Sequence, residues 1–219
     1  MEKIIFIDKF SPGIRKPVRK FVFTFLISNK RQNILPPEIV EMIFSFFKNG
    51  YFFTRKEMID IVKNRKYGKM IDLRGCDISG IKLQKRDLRW LDLSYSNLSD
   101  ISLKDCNLRD IVLKKSILKG AFISGSNLHS SFLEGSLMQH SKIRFSILTS
   151  SRMKECDLEY SKITNSDLKF VDLRSSNLVK TVFLNTDLSF VDMRNSIDCE
   201  IFKNGSFQGF PPMGWTIST

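Results

Sequence analysis

The 219-residue chain carries 35 lysines and arginines against 23 aspartates and glutamates, a formal charge of +12, and is 42% hydrophobic. With a mean hydropathy of -0.13 it fits a soluble globular protein large enough to bury a core. No apolar run approaches the roughly 18–20 residues that span a bilayer. Met1-Glu2-Lys3-Ile4-Ile5-Phe6-Ile7-Asp8 is too short and too interrupted by charge for a secretory signal, so the expectation is an intracellular, cytoplasmic protein. Cys76, Cys106, Cys156 and Cys199 form no C-x-x-C pair and are too sparse for a disulfide scaffold, which points to reduced thiols.

The charge is uneven along the chain. Residues 1–69 hold 15 basic and 6 acidic side chains, so this head carries most of the excess. Segments 3–7 and 17–28 are apolar, the second compatible with a strand or an amphipathic helix. Segment 35–47 begins Leu35-Pro36-Pro37 and continues with Ile39, Met42, Ile43, Phe46 and Phe47 at helical spacing, which predicts a helix with one apolar face, ended by Lys48-Asn49-Gly50. A further helix is expected over 54–64, with Thr54 and Glu57 forming a capping box.

From Leu73 the chain changes character. Every fifth residue up to Met193 is large and apolar, 25 consecutive positions including Leu83, Leu98, Ile123, Met153 and Phe183. Two residues before each such centre stands a small or β-branched residue in most repeats, Arg86 and Leu91 being the visible exceptions. The residue immediately before the centre is Asp or Asn in 13 of the 25. A period of five fits neither an α-helix nor an ordinary strand. It fits a chain that turns a corner every five residues, pointing the centre and the small residue into a common narrow interior. Asp and Asn beside the corner suit bonds from their side chains to nearby backbone amides.

This formula resembles the pentapeptide-repeat family, with Ser in place of its usual Ala. The resemblance implies an all-β right-handed quadrilateral β-helix, four repeats to a square coil and about six coils, carried beside a small mainly α N-terminal head. The expected division is a head over 1–69, the β-helix over 70–195 and a C-terminal cap over 196–219. On one side of the coil Leu88, Leu108, Leu128, Leu148, Leu168 and Leu188 form a structural leucine ladder. Three cysteines, Cys76, Cys106 and Cys156, fall at the small inward position. After Met193 the apolar residues Ile197, Phe202 and Phe207 come one place early, and Phe207, Phe210 and Trp215 are expected to close the end.

The Leu-Pro-x-Glu-Ile start and Ile-Phe-Ser-Phe-Phe finish of segment 35–47 resemble the first helix of an F-box. That resemblance implies a docking face of Leu35, Pro36, Ile39, Ile43, Phe44 and Phe47 for the adaptor subunit of a cullin-type ubiquitin ligase. The alternative is a helix that only shields the first coil, in a scaffold or oligomerising rod.

Chemistry has little purchase here. His129 and His140 fall at outward positions on different sides, no phosphate loop or nucleophile motif is present, and the aspartates are consumed by the repeat. No catalytic, metal or cofactor site and no small-molecule substrate is therefore expected. A basic ladder of Arg74, Lys114, Lys154, Arg174 and Arg194 runs beside Asp72, Asp172 and Asp192, as a solvated charge ladder would. At the Asp/Asn position the middle coils instead carry Val112, Ile117, Phe122, Phe132, Leu137 and Ile147, which predicts a contiguous apolar patch for docking a protein partner. Some pentapeptide-repeat proteins mimic DNA and inhibit type II topoisomerases, a mimicry that needs an acidic rod. This rod is slightly basic, and no nucleic-acid-binding module accompanies it, so nucleic acid is not the expected partner.

Overall fold

The computed structural model describes Ile59, residues 70–197, the backbone of 201–203 and residues 205–211. Segment 35–47 and Cys199 lie outside the described residues, as does Trp215. Within them the chain winds as a four-sided β-solenoid of about seven turns, one more than six, because two further strands follow the 25 repeats.

Each turn takes 20 residues, and its four sides are named here by their centres: A (Leu73, Leu93, Leu113 and onward), B (from Ile78), C (from Leu83) and D (from Leu88). Side C is a continuous parallel ladder built from β2 (Lys82–Gln84), β4 (Ser102–Lys104), β5 (Phe122–Ser124), β6 (Lys142–Arg144), β7 (Lys162–Thr164) and β8 (Val182–Leu184), completed by β10 (Ile201–Lys203). Side A opens with β1 (Ile71–Asp72) pairing in parallel with β3 (Leu91–Asp92). Sides A, B and D then pair coil to coil mainly through single parallel bridges, such as Asn127↔Ile147 and Val112↔Phe132.

The corners explain the period. The residue two after every centre, from Gly75 to Asn195, has a positive φ of 51–70°. Five of these are glycine and 20 are not. For an L-residue the left-handed conformation costs roughly 1–2 kcal/mol. Asp100, Asp105, Asp110, Asn165, Asn185 and Asn195 are residue types that accept it most readily. On sides A, B and D most corners are closed by a backbone bond back to the centre, as from Ser96 N to Leu93 O at 3.2 Å and Ser131 N to Leu128 O at 3.1 Å. The carboxylate or amide before the centre accepts from the residue after it: Ser79 N to Asp77 Oδ1 at 2.9 Å and Lys169 N to Asp167 Oδ1 at 3.0 Å.

The interior is a stack of identical layers. Leu88, Leu108, Leu128, Leu148, Leu168 and Leu188 are all 2% exposed or less, one above another on side D. The small residue two before each centre fills the remaining space, and in some repeats its hydroxyl makes a bond that Ala could not. Ser176 Oγ donates to Met153 O at 2.8 Å and Thr181 Oγ1 to Leu158 O at 2.9 Å, each tying one coil to the one below. Ser131, Ser141, Ser151 and Ser161 are as deeply buried, yet their hydroxyls have no partner. Leu91, an exception in the small column, is fully buried, whereas Arg86 is only partly buried, one coil below Cys106 in its column.

Ile59, which is helical, packs against the core, as do Ile71 and Leu73 of the first repeat. At the C-terminal end the register slips by one. Phe202 pairs with Phe183, and in β11 (Ser206–Phe210) Phe207 pairs with Leu188 of β9 (Asp187–Asp192), 19 residues apart instead of 20. Ile197 does not take part in that slip. It still pairs with Asn177 at a spacing of 20, in the outward Asp/Asn position, and is 60% exposed, so the frame shifts only after it. Phe207 packs against the core while Phe210 is 58% exposed and does not act as a lid. Gly209 is required here, since a Cβ would fall on the Val191 carbonyl oxygen of β9.

Two contrasts test this packing by urea denaturation followed by circular dichroism. Leu128→Ala is expected to cost about 2–5 kcal/mol, against less than about 0.5 kcal/mol for the outward Lys104→Ala. Ser161→Ala, which removes an unpartnered buried hydroxyl, is expected to leave stability unchanged or raise it, whereas Ser176→Ala, which breaks a bond between coils, is expected to lower it by about 1 kcal/mol.

Candidate functional site

In each repeat three residues face outward: the one before the centre and the two after it. These positions, repeated on four sides, are the surface from which any function of the rod has to be built.

The six apolar residues at the Asp/Asn position do not come together as one patch. Val112 and Phe132 are neighbours on side A, Ile117 and Leu137 on side B, while Phe122 lies on side C and Ile147 on side D. The reason is arithmetic: successive repeats occupy successive sides, so sequence neighbours at this position are a quarter-turn apart. Leu137 and Ile147 are 36% and 44% exposed, the other four partly buried. Phe132 is also covered by cations, with Lys114 Nζ 5.5 Å and the Arg152 guanidinium 5.1 Å from its ring.

The basic ladder on side A is neutralised in place. Arg74, Arg174 and Arg194 reach the carboxylate two residues back at 2.9, 2.7 and 2.7 Å, and Lys114 reaches Glu134 at 3.4 Å. Lys154 meets Glu155 at 3.0 Å. The hydrogen bond from Arg194 holds the Asp192 carboxyl below the usual carboxylate range, and that from Arg174 does the same for Asp172. Burial works against the charge of Asp187, but hydrogen bonds from Ser189, Ser206 and Lys169 outweigh it and hold its carboxyl low as well.

A second outward feature had no signal beyond the position two after the centre, whose exposure the repeat formula does not announce. It carries exposed aromatic rings in columns. Phe170 and Phe190 stack at 4.9 Å with an interplanar angle of 6°, and are 57% and 58% exposed. On the opposite side, B, His140 stacks on Tyr160 at 5.2 Å, and Lys180 lies 4.9 Å above the Tyr160 ring. His129 faces outward too, its Nδ1 2.6 Å from Thr149 Oγ1 on the following coil.

The thiols are not placed for chemistry. Burial pushes Cys76 and Cys156 up to about 12, and raises Cys106 in the same direction. Among the described residues no group of three His, Cys, Asp or Glu side chains is arranged to hold a metal ion. No helix among them is long and apolar enough to cross a membrane.

The geometry defines a class: a four-sided β-solenoid of stacked five-residue repeats with a structural interior and a decorated exterior. A family model for pentapeptide repeats matches eight copies over residues 71–110, 106–144 and 166–197. The chain is a pentapeptide-repeat protein. Among solved structures, trypsin-treated QnrB1, a plasmid-mediated fluoroquinolone resistance protein, is similar at 17% identity over 64% of this chain and 90% of its own, with a TM-score of 0.42. HetL, involved in heterocyst differentiation regulation in the cyanobacterium Nostoc sp. strain PCC 7120, is 17% identical over 70% of this chain and 90% of its own, with a TM-score of 0.31. Rfr23, a pentapeptide repeat protein from the cyanobacterium Cyanothece 51142, is 20% identical over 62% and 90%, with a TM-score of 0.34. No curated protein matches the sequence.

The low carboxylates set a pH dependence. Their folded pKa values lie below the unfolded value of about 4, so their contribution is full above that value and is lost progressively as pH falls from there through the folded values. Thermal melts between pH 7 and 3 are expected to show stability falling below pH ~4, with a shallower fall in Asp192→Asn.

Proposed function

We propose that the chain is a non-enzymatic protein-interaction protein whose rod displays a partner-binding surface. The observation that carries this reading is the division of labour in the repeat. The interior positions are consumed by packing and by bonds between coils, and the outward positions form flat, regularly spaced rows on a rigid support. Such rows offer area and fixed spacing rather than a cleft, which suits recognition of another surface.

The finer reading makes the chain a substrate-recognition adaptor. Segment 35–47 would engage the adaptor subunit of a cullin-type ubiquitin ligase through Leu35, Pro36, Ile39, Ile43, Phe44 and Phe47, and the rod would hold the protein to be modified. The F-box-like pattern of that segment supports it. The three buried, unpaired cysteines fit the cytoplasmic setting such a role needs. A second reading, a scaffold or oligomerising rod, is favoured by the exposed Phe170–Phe190 stack and by Ile197 near the C-terminal end. Inhibition of a topoisomerase by DNA mimicry ranks third, since the rod lacks the acidic surface it needs.

Pull-down of the full chain with the ligase adaptor subunit separates the first two readings. An adaptor role predicts capture that Ile43→Asp abolishes while the circular dichroism of the rod is unchanged. Absence of capture, together with a sedimenting oligomer that Phe170→Ser disperses, establishes the scaffold instead.

A further inference from the structure

The outward charge of the rod is collected on one side. Side C presents Lys82, Lys85, Lys104, Lys142, Arg144 and Lys162, all exposed, against the single carboxylate of Asp105. The other three sides together carry twelve outward cations against fourteen carboxylates.

The backbone explains the difference. On sides A, B and D the turn uses an acceptor before the centre, so Asp or Asn stands there in 13 of 19 repeats. A cation after the centre then finds its counter-ion two residues back, as Arg89 finds Asp87 at 2.8 Å. On side C the residue after the centre is the third member of a ladder strand, and its amide belongs to the ladder. None of its six repeats has Asp or Asn before the centre. Among the described residues no side C cation forms an ion pair.

Two of these cations are stacked. Lys142 and Lys162 are in direct register on adjacent strands, where like charges repel at a spacing of about 4.8 Å. With Arg144, Thr164, Asn165 and Leu184 they line a shallow depression of about 290 Å³. An arrangement that the fold itself leaves repulsive is relieved by an anion laid across it.

We propose that side C docks an extended acidic segment of a partner protein, anchored at Lys142, Arg144 and Lys162 and continuing along Lys104 to Lys82. This deepens the interaction reading above and rests on it. Lys82 and Lys162 are four coils apart, about 19 Å, the reach of about six residues of extended chain. The ligand has to be narrow. The neighbouring sides are mixed: Asp100 and Glu159 on side B stand among Lys119 and Lys180, and Asp167 and Asp187 on side D are paired with Lys169, so a wide anion such as a nucleic-acid duplex finds no cationic excess beyond the track. Single-stranded nucleic acid binds by stacking its bases on free rings. Among the described residues this side presents a single exposed ring, Phe145, with the Arg144 guanidinium 5.4 Å from it, and no row of exposed rings on which successive bases could stack. Phe122, Val182 and Leu184 add apolar area to the cations, the mixture of a protein interface.

Fluorescence anisotropy of the full chain with a labelled oligo-glutamate peptide tests the proposal, with labelled oligo-thymidylate as the competing class. Lys142→Gln/Lys162→Gln removes a repulsion and keeps the fold, which circular dichroism verifies. It is expected to weaken peptide binding about tenfold, and Lys114→Gln/Lys154→Gln on side A by less than about twofold. Equal effects of the two pairs, or oligo-thymidylate binding tighter than the peptide through Lys142 and Lys162, overturns the proposal. A natural partner recovered equally by wild type and Lys142→Gln/Lys162→Gln also overturns it while leaving the interaction reading intact. Failure to recover any partner on the wild-type rod would instead count against that reading.

Discussion

The fold depends on a corner that has to be made every five residues and made alike each time. A left-handed residue two after each centre turns the chain, and 20 of the 25 residues in that position bear the strain of an L side chain there. The strain is offset because identical corners stack. Residues 20 apart share a backbone conformation, so each coil presents its amides and carbonyls in register with the next, as Leu128 N bonds Ile147 O at 2.7 Å and Ile147 N bonds Ser126 O at 3.0 Å. A corner that departed from the pattern would break bonds with the coils on both sides, which is why the geometry tolerates so much variety of side chain and so little of shape.

The same constraint organises the surface. Where a turn closes on its own centre, an acceptor is wanted just before that centre, and the carboxylates supplied for the backbone also neutralise neighbouring cations. Where the chain runs as a ladder strand the backbone satisfies itself, no carboxylate is needed, and the cations stand alone. The sidedness of the charge is thus a by-product of local hydrogen bonding. It divides the rod into three self-compensated sides and one cationic side without any change in the buried core.

The period, the inward centres and the small inward column were legible in the sequence, since a buried position repeated 25 times leaves a pattern that no surface requirement would produce. The slip at the C-terminal end was legible at Phe202 and Phe207, which pair one residue early, but not at Ile197, because an apolar residue reads as inward whichever way the frame places it. The expected apolar patch failed for a related reason. Val112, Ile117 and Phe122 are close along the chain, yet each successive repeat belongs to a different side. The exposed rings of Tyr160, Phe170 and Phe190 stand two after their centres, a position the repeat leaves open to any side chain, so nothing in the period marks their stacking.

What the sequence determined by itself is the one-dimensional rule of which residue in five turns inward; that four such turns close a coil was implied only by its resemblance to pentapeptide repeats. A periodic burial requirement acts on every repeat alike, so it is written in composition at fixed spacing. Which outward residues become neighbours was decided only by the coil. Contacts there join residues 20 apart, such as Lys142 with Lys162 or Phe170 with Phe190, and their sum depends on which side is a ladder and which are turns. That distinction lies in the backbone hydrogen bonds between coils, which exist only once the coils are stacked.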